Sequence, residues 1–138
     1  MLKHFVIKAE IPAPRAKVFA FGAQKTMYGG KRIAKGDVIF IFASETEGGT
    51  GLVARGVITS ARATPRKPGI DRQTPRVSIT VRRTALAKRS LGRSELRPFS
   101  NWKDGRPETE LNFKFYRQAT NKIGGITADA ATFLGKFF

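Results

Sequence analysis

The sequence predicts an α+β chain, a small β-barrel of about five to six mostly antiparallel strands with short peripheral helices and a C-terminal helix. Three observations predict it. Apolar segments are short and are interrupted by 14 glycines and 7 prolines, the punctuation of strands joined by turns. The run Val38–Ala43 is apolar on both faces, as in a central strand or a small barrel. Sustained helical spacing is confined to the C-terminal part. With 138 residues, 41% of them apolar, the chain has material for one core, and residues 1–138 read as a single domain.

His4 to Lys8 reads as a strand, ended by Pro12 and Pro14. Arg15 to Tyr28 stays open: Val18, Phe19 and Phe21 favour a strand, whereas Ala16, Ala20, Ala23 and Gln24 permit a helical turn. Lys35-Gly36-Asp37 forms a turn into the strand Val38–Ala43. Gly48-Gly49-Thr50-Gly51 then reverses the chain into Leu52 to Ser60, completing an antiparallel hairpin. Residues 64–75, rich in proline and cations, are a loop. Val77, Ile79 and Val81 alternate with Ser78, Thr80 and Arg82 in a half-exposed strand. Ser90 caps a short helix to Arg97, and residues 98–110 form a polar loop holding the only tryptophan, Trp102. Leu111, Phe115, Ala119 and Ile123 recur every fourth residue and predict one to three helical turns. An alternating strand through Phe113 and Phe115 competes with that reading. Thr127 caps a last helix, Ala128 to Phe138, with Phe133, Leu134 and Phe137 on its buried face.

The formal net charge is +16, from 26 Lys and Arg against 10 Asp and Glu. Most of it lies in residues 61–106, with thirteen basic and three acidic side chains. Self-repulsion on this scale points to a polyanionic partner, nucleic acid before an anionic membrane surface. The cluster is dominated by arginine, whose planar fork suits phosphate oxygens and base edges. The longest apolar run is Val38–Ala43, far short of the roughly 20 residues that span a bilayer. No secretory signal is visible, so a soluble, cytoplasmic protein is expected.

The absence of cysteine excludes disulfides, thiolate metal sites and a Cys nucleophile. The lone His4 lies in an apparent strand and leaves little acid–base machinery near neutral pH. Glu45 with Glu47, and Glu108 with Glu110, read as solvated loop carboxylates without metal-ligand spacing. The glycine-rich turns match neither a P-loop nor a dinucleotide fingerprint. No enzyme activity, no cofactor and no metal are therefore expected. Aromatic residues among the cations offer more: bases stack on rings while Lys and Arg follow the backbone. Trp102, between Asn101 and Lys103, reads either as a ring at a binding mouth or as a lid packed on the barrel.

The order of these segments resembles the EVE domain of the PUA-like superfamily over nearly the whole chain. Phe5 to Glu10 is similar to that family's opening Trp-x-x-Lys-x-Glu strand, with Phe5 in place of Trp. Lys35-Gly36-Asp37, the following apolar strand and Ser44 resemble its Lys-Gly-Asp turn and Tyr-x-Ser ending, with Phe42 in place of Tyr. Gly51 to Ile58 resembles its next strand, Gly-x-x-x-x-Gly-x-Val. Ser90 to Arg97, Ile123 to Thr127 and Ala128 to Phe138 are similar to its short helix, last strand and terminal helix. The Arg-Asn segment usual before the Lys-Gly-Asp turn has no residue-by-residue counterpart here, and the loops 62–76 and 98–110 are particular to this chain.

The resemblance implies a PUA-like barrel with a pocket for a base flipped out of DNA or RNA, often a modified one. Extrusion costs a few kcal/mol, recovered by stacking and edge hydrogen bonds. In this chain the strand ends are expected to build the pocket. Phe42 and Ser44 lie at its base, Phe21, Gln24 and Trp102 around its mouth, and Arg117, Gln118 and Asn121 on the opposite wall. Ser44, Gln24 and Asn121 supply hydrogen bonds, while Arg62, Arg66, Lys67, Arg72, Arg82 and Arg83 hold phosphates. Two alternatives accompany this nucleic-acid-binding reading. One is a nuclease of the related ASCH type, pairing Glu10 with Lys8 or Asp37 with Lys35. The other is a protein-interaction module on an RNA-rich assembly.

Overall fold

The computed structural model describes residues 3–118 and 120–138. Six strands, β1 (His4–Ala9), β2 (Val18–Met27), β3 (Val38–Ala43), β4 (Gly51–Ala63), β5 (Arg76–Leu86) and β6 (Lys122–Gly125), close into a barrel in the order β1-β3-β4-β5-β2-β6. The β1–β3 and β2–β6 seams are parallel and the other four are antiparallel. Three helices follow β5: α1 (Arg93–Leu96) and α2 (Pro107–Phe115) before β6, and α3 (Ala128–Gly135) after it. None of them is long and apolar enough to cross a membrane.

The two-residue period of the strands builds two cores. Phe5 and Ile7, Ile39 and Ile41, Ile58, Ile79 and Val81, Phe19 and Phe21, and Ile123 point inward and fill the barrel. Val6, Phe40 and Phe42 point outward from β1 and β3 and pack beneath Leu96, Leu111, Phe115, Ala130 and Leu134 of the helices. Val38–Ala43 is apolar on both faces because each face meets a different core. Beyond Leu52, which packs with the helices, the outer side of β4 becomes polar toward Ala63, as does the facing part of β5. There Thr59, Ser60 and Thr80 share hydroxyl hydrogen bonds of 2.7 and 2.8 Å.

The open stretch 15–28 resolves as a strand with a bulge. The β2–β5 register shifts between Phe21 and Gln24, and Ala23 adopts a positive φ of 46°. Ser78 Oγ accepts from Ala23 N at 2.9 Å, and Arg76 Nη1 donates to Ala23 O at 2.8 Å, which pins the bulge.

Several boundaries differ from the sequence expectation; β4 runs on to Ala63 and the last helix ends at Gly135, not Phe138. Helix α1 starts after Gly92, not Ser90, because the Gly92 N–H donates to Glu95 Oε1 at 2.8 Å while Gly51 packs on the Leu91–Gly92 backbone. At φ 90° and with Leu91 O against its Cα, Gly51 is a position only glycine fits. The supposed loop 98–110 already contains the first turn of α2, begun by Pro107 at a position where no N–H is required. That helix stops at Phe115, so Ile123 belongs to β6, whereas Ala119 lies outside the described residues. For α3, Thr127 Oγ1 accepts from Ala130 N at 3.2 Å as a cap, and Leu134 is buried with Ala130 and Ala131. Phe133 and Phe137 are half-buried and meet edge to face at 5.3 Å.

Candidate nucleic-acid interface

On the outer face of the barrel three residues stand in one row across three strands. Lys8 on β1 pairs in register with Phe42 on β3 on one side and with Lys122 on β6 on the other. Both lysines are 1% exposed. Tyr116, just past α2, covers the row: its ring lies 5.0 Å from Lys8 Nζ and meets Phe42 edge-on at 6.2 Å. The Tyr116 hydroxyl donates to Glu45 Oε1 at 3.0 Å, and Glu45 Oε2 accepts from Arg93 N at 2.6 Å. Glu45 follows Ser44, whose buried Oγ shares a 2.8 Å hydrogen bond with Thr46. Next to the row, Gly124 lets the Phe115 ring lie directly on β6, and Lys122 Nζ is 5.8 Å from that ring.

Burial governs the electrostatics here. It lowers the Lys8 pKa to about 8; Lys122 and Arg93 push the same way and Glu45 opposes them. Burial lowers Lys122 as well. Tyr116 is driven upward by burial and then by Glu45, so it remains a neutral donor. Among the described residues, the buried side-chain atoms without a hydrogen-bond partner are Lys8 Nζ and Asn121 Oδ1. One is a donor and the other an acceptor, and Asn121 directly precedes Lys122, the register partner of Lys8.

Several expected site residues gather around this row. Phe42 and Ser44 flank it at the end of β3, and Asn121 stands at the start of β6. Arg117 follows Tyr116, with its guanidinium 4.8 Å from the Phe113 ring and 5.7 Å from Trp102. Trp102 itself meets Phe113 edge-on at 5.3 Å, remains 42% exposed and lines a separate cleft with Arg106, Glu110, Lys114 and Asp129, away from the row. Gln118 is exposed beyond them.

Phe21 and Gln24 are not brought to the row. Phe21 faces the barrel interior beside Phe19, with ring centroids 6.2 Å apart, because the odd residues of this half of β2 point inward. Gln24 lies past the bulge, its Nε2 donating to Gly22 O at 3.0 Å. The barrel interior is therefore packed core, and the candidate site is on the outer wall, where Lys8, Tyr116, Lys122 and Glu45 join it. Of these, Lys8 carried the clearest signal, a cation at an alternating position inside an apolar strand.

The cations expected to form a rim are also displaced. Arg66, Lys67 and Arg72 lie in the loop joining β4 to β5, and Arg62 near the end of β4. Gly51, close to Ser44, is eleven residues from Arg62, about 35 Å of extended strand. Arg82 and Arg83 lie partway along β5 opposite Val57 and Gly56, and Arg83 Nη1 donates to Arg15 O at 2.7 Å. Closure of the barrel nevertheless returns the β5 end of this hairpin toward the row from the other direction, since Arg76 pairs with Lys25 and the next residue of β2, Thr26, pairs with Ile123 beside Lys122. Ion pairing does not neutralise these cations: the ion pairs among the described residues are Arg106–Glu108 and Lys114–Glu110. Of the residues suggested for catalysis, Asp37 holds its own turn, its carboxylate accepting from Ala34 N at 2.8 Å, and Glu10 is exposed beyond β1.

The closed six-strand barrel with two parallel seams and packed helices agrees, at the level of fold, with the small α+β barrel that the resemblance to the EVE domain implies. No family model and no curated protein matches the sequence. Solved structures match its fold across almost the whole length. Human THYN1, solved in complex with 5-methylcytosine-containing DNA, is 16% identical with a TM-score of 0.65, covering 97% of this chain and 96% of that one. The DUF55 domain of human thymocyte nuclear protein 1 is 14% identical with a TM-score of 0.62, covering 95% of each chain. A hypothetical protein from Leishmania major is 14% identical with a TM-score of 0.61, covering 99% of this chain and 94% of that one.

Proposed function

We propose that the protein is a nucleic-acid-binding module that holds one base, plain or modified, at the Lys8 row and grips phosphates along β4 and β5, without turnover. The observation that carries this reading is the buried Lys8 Nζ, which has no hydrogen-bond partner and lies against the Tyr116 ring. A protein leaves such an atom unpaired at a cost of about 1–3 kcal/mol. A nucleobase edge offers carbonyl and ring-nitrogen acceptors that answer such a donor.

Entry of a base requires the Tyr116 ring to swing off Lys8, which then leaves Tyr116 and Phe42 as stacking surfaces. A methyl group on the base has no hydrogen bonds to give and is read by contact with Phe42. The unneutralised cations supply affinity independent of sequence. The fold shared with a protein solved on 5-methylcytosine DNA supports the same choice of partner.

The test is a titration with oligonucleotides that differ at a single cytosine, methylated or not, at two salt concentrations. Lys8→Met is expected to abolish discrimination between the two while leaving the salt dependence of binding intact. Equal discrimination by the parent protein and the variant refutes the base site. Salt-independent binding refutes the phosphate grip.

A further inference from the structure

We propose that the loop between β4 and β5 carries a second binding site, for a nucleoside phosphate, separated from the Lys8 row by the end of β2 and the start of β6. A cavity of about 480 Å³ opens there, within the range of about 300–1,000 Å³ typical of small-molecule sites. Its apolar floor is formed by Pro65, Ile70, Pro75 and Val77. Its cationic walls come from Lys31, Arg66, Lys67 and Arg76, and no carboxylate lines it.

The cavity is held in shape before any ligand arrives. Gln73 acts as a clasp: its Oε1 accepts from Lys67 N at 2.9 Å, and its Nε2 donates to Lys67 O at 2.8 Å and to Ile70 O at 2.9 Å. Arg66 Nη2 donates to Asp71 O at 2.9 Å across the same loop. At the base of the loop, Pro75 O accepts from both Thr26 N, at 3.1 Å, and Thr26 Oγ1, at 2.7 Å, tying the hairpin to β2. Arg66 and Arg76 each spend one nitrogen on a backbone carbonyl and keep further donors for an anion.

Ile70 is the residue that cations alone do not explain. It is 49% exposed within a loop of charged and polar residues, and it forms part of the cavity floor. A simple phosphate needs no aliphatic platform, and a simple hydrophobe needs no ring of four cations. A flat base with a phosphate attached uses both, laying its face on Ile70 and the prolines and its phosphate oxygens against Lys67 and the arginines. That chemistry is shared by a free mononucleotide and by the terminal nucleotide of a strand. This site has a lining of its own, which shares no residue with the Lys8 row.

The experiment is an NMR titration of the isotopically labelled full chain with adenosine 5′-monophosphate, adenosine and inorganic phosphate at matched ionic strength. The nucleotide is expected to shift the amide signals of residues 64–77 and Lys31 saturably, with at least tenfold tighter binding than adenosine or phosphate. Ile70→Ser, a surface change that leaves the charge intact, is expected to weaken the nucleotide at least fivefold. Phosphate binding as tightly as the nucleotide, or hairpin signals that do not move, overturns the proposal. A competing 5′-phosphorylated oligonucleotide distinguishes the sources. Displacement of the nucleotide at lower concentration identifies a strand end, and failure to displace it identifies the free nucleotide. If Ile70→Ser binds nucleotide as the parent does while the methylcytosine oligonucleotide still shifts Tyr116 and Lys122, the hairpin site alone has failed and the base-site reading survives.

Discussion

Lys8 and Lys122 face each other in register across the β1–β6 seam, both buried on the same outer face of the barrel. Two like charges side by side and out of water strain the folded state, and the Lys8 pKa of about 8 expresses it. Below that pH both the folded and the unfolded chain hold the Lys8 proton, and folding bears the whole cost. Between about 8 and 10.5 the folded chain sheds the proton while the unfolded chain keeps it, so stability rises with pH through this window. Lys8→Met is therefore expected to stabilise the protein at pH 7 by about 1–3 kcal/mol. Its advantage should shrink from pH 8 to 10.5, read from urea midpoints across that range. A constant advantage at every pH would show that Lys8 is not the strained group.

The hairpin cations make a separate prediction. If Arg62, Arg66, Lys67 and Arg72 each neutralise one phosphate, changing all four to Ala should reduce the slope of log K against log salt by about 3–4 on duplex DNA. Affinity should fall uniformly, with methyl discrimination unchanged, because these exposed cations would hold phosphates and not the base. The four are exposed, so the variant should keep its thermal midpoint.

Glu110 joins α2 to the start of α3. Burial opposes its charge, yet it accepts from Thr127 N at 2.9 Å, from Thr127 Oγ1 and from Lys114 Nζ at 3.0 Å, and these outweigh burial and lower its pKa below 4.5. A carboxylate so lowered stabilises the fold above the unfolded pKa, and that contribution is lost as pH falls through the folded one. Glu110→Gln should cost about 1–2 kcal/mol at pH 7 and progressively less below pH 4, measured by chemical denaturation. An equal cost at pH 3 and pH 7 would count against the carboxylate as the linker.

The strands were legible where alternation was strong. Phe5 and Ile7 against Val6 and Lys8, or Val77, Ile79 and Val81, state their faces directly. Helix boundaries were not, because a distant contact chose them: Gly51 pressing on Gly92 decides where α1 begins. The site was partly legible for a related reason. Phe42, Ser44 and Asn121 lie at strand ends, which order alone locates, whereas the inward turn of Phe21 depends on the register of β2 against β5. Barrel closure sets which cation lies beside which pocket, and no local pattern records closure.

Tyr116 gives the sharpest division between stability and binding. Its hydroxyl donates to Glu45 while its ring rests on Lys8 and Phe42, so one side chain closes the row and is tied shut by one hydrogen bond. Tyr116→Phe keeps the ring and removes the tie. Glu45, still held by Arg93 N, loses one partner, and the fold should lose about 1 kcal/mol. If the ring must swing away to admit a base, the untied ring opens at less cost, and oligonucleotide affinity should rise about two- to fivefold although stability falls. A purely structural tyrosine predicts the opposite pairing, a less stable protein that binds equally or more weakly. Thermal denaturation and an anisotropy titration of the same preparation decide between them.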